Sequence, residues 1–222
     1  MKFTEELREA AAPIWEAWHR HPFVTGIGDG SLDIEVFKYW LRQDYVYLKD
    51  YVRVFALGAA KADNLSTMST FAKLLDGTLN SEMQLHRQYA DRFGISHDEL
   101  ENEPKSPTTQ GYTDFLLAAS YSGDLAQLVA ALLPCAWGFW EIGTRLKEVG
   151  VTTEDNPYRD WIETYSSEEF TQFCVWTRDL MDRLAQDLPR DRKQHLAEVF
   201  ITSSRYELMF WDMAYNMEEW EV

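Results

Sequence analysis

LVAALLPCAWGFW, residues 128–140, is the longest apolar stretch of the chain. At thirteen residues it is too short to span a bilayer, so it reads as a buried core helix. Pro134 sits inside it. Proline removes a backbone donor and kinks a helix, which leaves a carbonyl of the preceding turn without its helical partner. A thiol at such a break, Cys135, can face a cavity, although most buried cysteines are inert small hydrophobes. Asp124 can N-cap this helix, which then runs to Val149 and stops at Gly150.

The same punctuation divides the flanking sequence. A first helix is expected over about Thr4 to Arg20, then a Gly-rich loop over Phe23 to Gly30. A second runs from Ser31 or Asp33 to about Ala62, and a third from Leu65 to Phe93, closed by Gly94 as a left-handed cap. Glu101 to Thr108 is the most linker-like piece, followed by a helix over Thr108 to Tyr121. Asn156-Pro157 opens a short helix. Ser166-Ser-Glu-Glu169 resembles a capping box that opens the next one, which ends before Pro189. The last helix runs from about Asp191 to Glu219. The expectation is an all-α, single-domain bundle of long antiparallel helices over residues 1–222.

Composition agrees. Among 222 residues, 11 Gly and 7 Pro are few, which favours helices over turn-rich β architecture. An apolar fraction of 45% is too high for a disordered acidic chain. A formal charge of −16 is wrong for gripping nucleic-acid phosphates or an anionic membrane. Two cysteines make no disulfide framework, and Glu5, Glu6, Arg8 and Glu9 interrupt any secretory pattern, so a reduced, cytoplasmic setting is expected.

Three polar residues stand on apolar helix faces. Asp44 has Trp40 and Leu41 behind it and Tyr47 and Leu48 ahead, so its carboxylate needs a strong donor. It is either a structural hydrogen-bonding group or a functional one. Glu207 lies between Ser203 and Ser204 on one side and Phe210 and Trp211 on the other. A Glu inside an aromatic stripe suits a general acid, or a structural pair with an Arg or Tyr. Cys135 needs a group that favours its thiolate. The five His residues are distant in sequence, and Tyr47, Tyr112 and Tyr165 lie on other helices or at their ends. Glu82 and His86 are spaced for a metal on one helix. No second Glu-x-x-His set accompanies them, so they read as an intrahelical pair and no metal is expected.

Together these segments resemble a family. Pro134-Cys135-Ala-Trp137-Gly-Phe-Trp-Glu141-Ile-Gly143 is similar to the Cys motif of TenA / thiaminase II proteins. Ser203-Ser204-Arg-Tyr-Glu207-Leu-Met-Phe210-Trp211-Asp-Met213-Ala214-Tyr215 is similar to their C-terminal Glu motif. His21-Pro22-Phe23, the segment from Phe37 to Tyr45, and Thr109-Gln-Gly-Tyr112 support them in order. The resemblance implies a haem-oxygenase-like bundle, assembled as a homotetramer. It implies hydrolysis of 4-amino-5-aminomethyl-2-methylpyrimidine, and of thiamin, to the hydroxymethylpyrimidine, with no cofactor. It also implies residue roles: Cys135 as nucleophile, Glu207 as proton donor, Tyr47 and Tyr112 as hydroxyls that enhance the thiol, Asp44 on the pyrimidine amino group, and Tyr165 on the substrate. Phe139 stands where the family has Tyr, keeping the ring face and losing a hydroxyl. With Phe210 and Tyr47 it is expected to stack the substrate ring. The rival readings are a haem enzyme using His19 or His21, a di-iron enzyme of the same fold, and a non-catalytic pyrimidine-binding or scaffolding bundle.

Overall fold

A computed structural model describes residues 1–149 and 155–221. Among the described residues there are twelve α-helices, one π-helical turn and no strand. The helices are α1 (Phe3–Ala10), α2 (Ala12–Arg20), α3 (Pro22–Asp29), α4 (Ile34–Lys61), α5 (Leu65–Gly77), α6 (Met83–Phe93), α7 (His97–Asn102), α8 (Pro107–Ser122), α9 (Leu125–Val149), α10 (Arg159–Tyr165), α11 (Glu168–Ala185) and α12 (Arg190–Asn216), with the π-turn at Thr78–Glu82. The all-α expectation holds, and the differences are local.

The first expected helix is two. Pro13, in the first turn of α2, cannot continue α1 because it offers no N–H and crowds the preceding turn. The expected loop over Phe23 to Gly30 is helix α3. His21 accepts the Phe23 amide at 3.1 Å as its cap, Pro22 is its first residue, and Gly30 ends it in the left-handed region at φ 76°. Its inner glycines serve close packing: a Cβ on Gly28 would come within 2.7 Å of Leu146. The third expected helix is interrupted by the π-turn, and α7 fills part of the expected linker behind a Ser96–Glu99 capping box. Ser167, rather than Ser166, caps α11 through the Phe170 amide at 3.1 Å. Asp124 caps the start of α9 as expected, through the Gln127 amide at 3.0 Å. Gly150, expected to stop α9, lies outside the described residues. At 25 residues α9 is long and apolar enough to cross a membrane, but 78% of its most apolar window is buried in the protein, the pattern of a core helix.

The chain divides into two compact units, Met1–Asp33 with Val129–Asp212, and Ile34–Leu128 with Met213–Val222. In the first, Trp15 is a hub whose ring meets Trp18 at 4.5 Å, Trp137 at 5.2 Å and Phe200 at 5.9 Å. Each fully buried ring of this kind contributes about 2–3 kcal/mol by leaving water. The Trp15 indole N–H donates to Ser204 Oγ at 3.0 Å, and Arg8 lies 4.4 Å over its ring. Glu141 on α9 takes Arg8 at 2.6 Å and His19 at 2.9 Å.

The expectation of antiparallel long helices fails for α9 and α12. Ser203 Oγ donates to the Ala131 carbonyl at 2.6 Å, and the Trp211 and Phe139 rings lie 5.1 Å apart. Both pairs are separated by 72 residues, so the two helices run in the same direction in constant register.

In the second unit, α4 packs against α5, α6, α7 and α8. Phe37 on α4 meets Tyr89 and Phe93 on α6 at 5.9 and 5.5 Å. Gln43 anchors the start of α8. Its Oε1 accepts the Ser106 amide at 3.0 Å and the Thr109 hydroxyl at 2.7 Å. The Glu218 carboxylate takes the Thr108 amide at 2.9 Å, satisfying another of the helix's early donors.

Candidate active site

In the first unit the site residues come from α9, α10 and α12. Of residues 128–140 every one is buried except Cys135 and Trp140. Cys135 is therefore half-buried within the most apolar helix, directly after Pro134. Cys174, on α11, is buried, and burial pushes its thiol up to about 12, with Glu141 adding to the effect against Arg178. The two cysteines thus differ in exposure, Cys135 being half-buried and Cys174 buried.

Ala131, Cys135 and Phe139 are four residues apart on α9 and share a face, as do Ser203, Glu207 and Trp211 on α12. The Ala131–Ser203 bond lies one turn below Cys135 and Glu207, and the Phe139–Trp211 ring pair one turn above. This puts Cys135 and Glu207 at the same level on facing sides of two parallel helices. Glu207 is 3% exposed. Phe210, one turn on, is also buried.

Phe139 is held among rings: Tyr165 at 4.8 Å, Trp211 at 5.1 Å and Trp161 at 5.8 Å. Tyr165, the last residue of α10, meets α9 at Gly143, where a Cβ would approach the Tyr165 backbone to 2.9 Å. A larger residue at 143 would push Tyr165 away from Phe139. Glu141, on the turn after Phe139, keeps its charge. Burial works against it, but the hydrogen bonds from His19 and Arg8 prevail and hold its carboxyl at about 2.

In the second unit α4 carries Asp44 and Tyr47, one turn apart on its buried side. The Tyr47 ring lies 5.2 Å from Tyr112 on α8 and stacks on Tyr51 at 5.4 Å. The Gln43 anchor described above sets the height of α8 against α4, and so the approach of Tyr112 to Tyr47.

Asp44 has the strong donor its burial demands. His86 Nε2 on α6 lies 2.7 Å from Asp44 Oδ2, and His86 Nδ1 lies 3.0 Å from the Glu82 carbonyl oxygen. Burial alone would lower the imidazole pKa, but the Asp44 bond and the charges of Asp44 and Glu82 outweigh it and raise it. Burial, with Asp44 adding to it, pushes Glu82 up to about 7 against the pull of His86 and the Thr78 hydroxyl.

The expected intrahelical pair of Glu82 and His86 is made through a ring-to-backbone bond, and the other ring nitrogen goes to Asp44. The signal was present: Met83, Tyr89 and Ala90 flank His86 at helical spacing, the same criterion that singled out Asp44. Among the described residues no group of three or more His, Cys, Asp or Glu side chains is arranged to hold a metal ion.

The TENA/THI-4/PQQC family model matches residues 8–217. An aminopyrimidine aminohydrolase of Halalkalibacterium halodurans is 48% identical over 99% of this chain and 98% of its own. A crystal structure described as a TenA family transcription regulator from Silicibacter sp. TM1040 superposes with a TM-score of 0.90. It is 34% identical and covers 96% of each chain. Haem oxygenase 2 from Chlamydomonas reinhardtii shares the fold at a TM-score of 0.61 and 14% identity, over 96% of this chain and 97% of its own.

Proposed function

The chain belongs to the TENA/THI-4/PQQC family, and from that premise we propose that it is an aminopyrimidine aminohydrolase of thiamin salvage. Its substrate is 4-amino-5-aminomethyl-2-methylpyrimidine, with thiamin as a further substrate, and its product is the 5-hydroxymethylpyrimidine. The observation that carries this reading is Cys135, half-buried in an otherwise buried stretch of helix, level with the buried carboxyl of Glu207. The relative from H. halodurans, matched nearly end to end, supports it by its name.

Direct displacement at the exocyclic methylene by water is poor, because the ring is electron-rich. Addition of the Cys135 thiolate to ring C6 moves charge onto the ring, and protonation of a ring nitrogen by Glu207 relieves it. Collapse then expels ammonia, or the thiazole of thiamin. Water adds to the exocyclic alkene, and departure of the Cys135 sulfur restores the aromatic ring.

Asp44 receives the amino group of the pyrimidine and fixes its orientation. The Tyr47 and Tyr112 hydroxyls enhance the thiol, and Tyr165 touches the substrate. Phe139, Tyr47 and Phe210 supply ring faces. Phe in place of Tyr at 139 keeps the stacking surface and forgoes a hydrogen bond. The reaction needs no cofactor. The enzyme acts as a homotetramer in the cytoplasm, which light scattering of the purified protein and cell fractionation check.

The test offers the aminomethylpyrimidine, its formylated precursors and thiamin separately and follows hydroxymethylpyrimidine by mass spectrometry. Release from the aminomethyl compound is expected. Absence of release from all of them contradicts the proposal.

A further inference from the structure

The steps above use Asp44 and leave the imidazole bonded to it without a role. His86 is 2% exposed and Asp44 5%, so the pair lies out of water. Its proton inventory follows from geometry. The Glu82 carbonyl can only accept, so His86 Nδ1, 3.0 Å away, carries a hydrogen. Nε2 and Asp44 Oδ2, 2.7 Å apart, then share one further proton. An imidazolium bonded to a carboxylate satisfies both neighbours with charge-assisted bonds, and the raised imidazole pKa favours that form. Among the described residues His86 is Asp44's hydrogen-bond partner, and the bond occupies Oδ2. Oδ1 is available to a second donor.

His86 is also placed by a deviation in the chain. The π-turn at Thr78–Glu82 directly precedes α6, and its additional residue resets which side of α6 meets α4. The face so presented carries His86.

Resting on the function proposed above, we propose that His86 is a positioning residue. Held by the Glu82 carbonyl, it fixes the Asp44 carboxylate through Oδ2, so that Oδ1 accepts the amino group of the pyrimidine. A buried carboxylate stripped of this donor loses the bond that fixes its orientation. Loss of His86 therefore weakens substrate binding more than it slows chemistry. The other groups facing the pair are the Glu82 carboxyl and the rings of Trp40 and Tyr45, 6.0 and 6.5 Å from the imidazole. Burial and the Glu101 carboxylate push Tyr45 up to about 12 against the pull of Arg87, so it is neutral at pH 7.

The experiment compares wild type, His86→Leu and His86→Gln at pH 7. It measures kcat and KM for the aminomethylpyrimidine and calorimetric affinity for the hydroxymethyl product. For His86→Leu, KM and the product Kd should rise about tenfold or more at pH 7, and kcat should fall less. For His86→Gln, whose amide donates as Nε2 does, most of the binding should return. If His86→Leu does not fold, His86→Asn, whose amide does not reach Asp44, takes its place with the same expectation. A folded His86→Leu with wild-type KM overturns the inference, as does an equal loss of binding in both variants. Wild type that neither binds nor turns over any pyrimidine overturns the proposed function and this inference with it. Active wild type beside an unaffected His86→Leu overturns this inference alone.

Discussion

Cys135 and Glu207 stand level on two parallel helices, bracketed by the Ser203–Ala131 hydrogen bond below and the Phe139–Trp211 ring pair above. A proton donor held in register with a thiol is what adduct formation on a heteroaromatic ring requires. Under the proposed function Glu207 is the proton donor; Glu207→Gln keeps the shape and removes the acid, so kcat should fall by roughly 10²–10⁴ with little change in KM. Steady-state kinetics across the pair of proteins checks this.

Ser203 sets that register. Ser203→Ala removes one buried bond and should cost about 1 kcal/mol in urea unfolding. Turnover should fall as well, because the level of Glu207 against Cys135 is no longer pinned.

The two thiols should separate cleanly in alkylation. Native protein treated with iodoacetamide at pH 8 should take up one equivalent, on the peptide carrying Cys135. Cys174, buried and pushed up to about 12, should react only after unfolding. Peptide mass mapping reads the result.

Glu141 should govern part of the acid limb of stability. Its carboxyl lies at about 2 in the folded protein, below its ordinary 4.5. The unfolded chain therefore binds the extra proton between those values. The stabilisation is complete above about 4.5 and is lost as pH falls through about 2. Glu141→Gln should lose about 1–3 kcal/mol at pH 7 and show a flatter melting-temperature profile in that window.

Glu82 has the opposite sign. Its folded pKa of about 7 lies above its ordinary 4.5, so the folded protein binds the extra proton between them. Its contribution falls as pH rises from 4.5 to 7. Glu82→Gln should flatten that decline and melt higher than wild type above pH 7.

Much of this architecture was legible in residue spacing, for physical reasons. Asp124 before an apolar run and Gly94 after one are local signals, and local hydrogen bonding placed both ends where expected. Residues Phe23 to Gly30 misled because their glycines suggested freedom, whereas they serve close approach inside α3. Asp44 and Glu207 were legible as buried carboxyls because apolar neighbours at helical spacing mark a face. The partner of Asp44 was not, since pairing α4 with α6 depends on rotation through a π-turn that no spacing rule announces. The parallel course of α9 and α12 was hidden for a similar reason: the connection through α10 and α11 does not state its direction in sequence.

The central claim, that Cys135 is the nucleophile, is tested most directly by giving wild type and Cys135→Ser the aminomethylpyrimidine and measuring hydroxymethylpyrimidine release alongside calorimetric binding of that product. The account predicts that Cys135→Ser binds the product with near-wild-type affinity and releases essentially none from the substrate. Turnover by Cys135→Ser at a rate near that of wild type would contradict it.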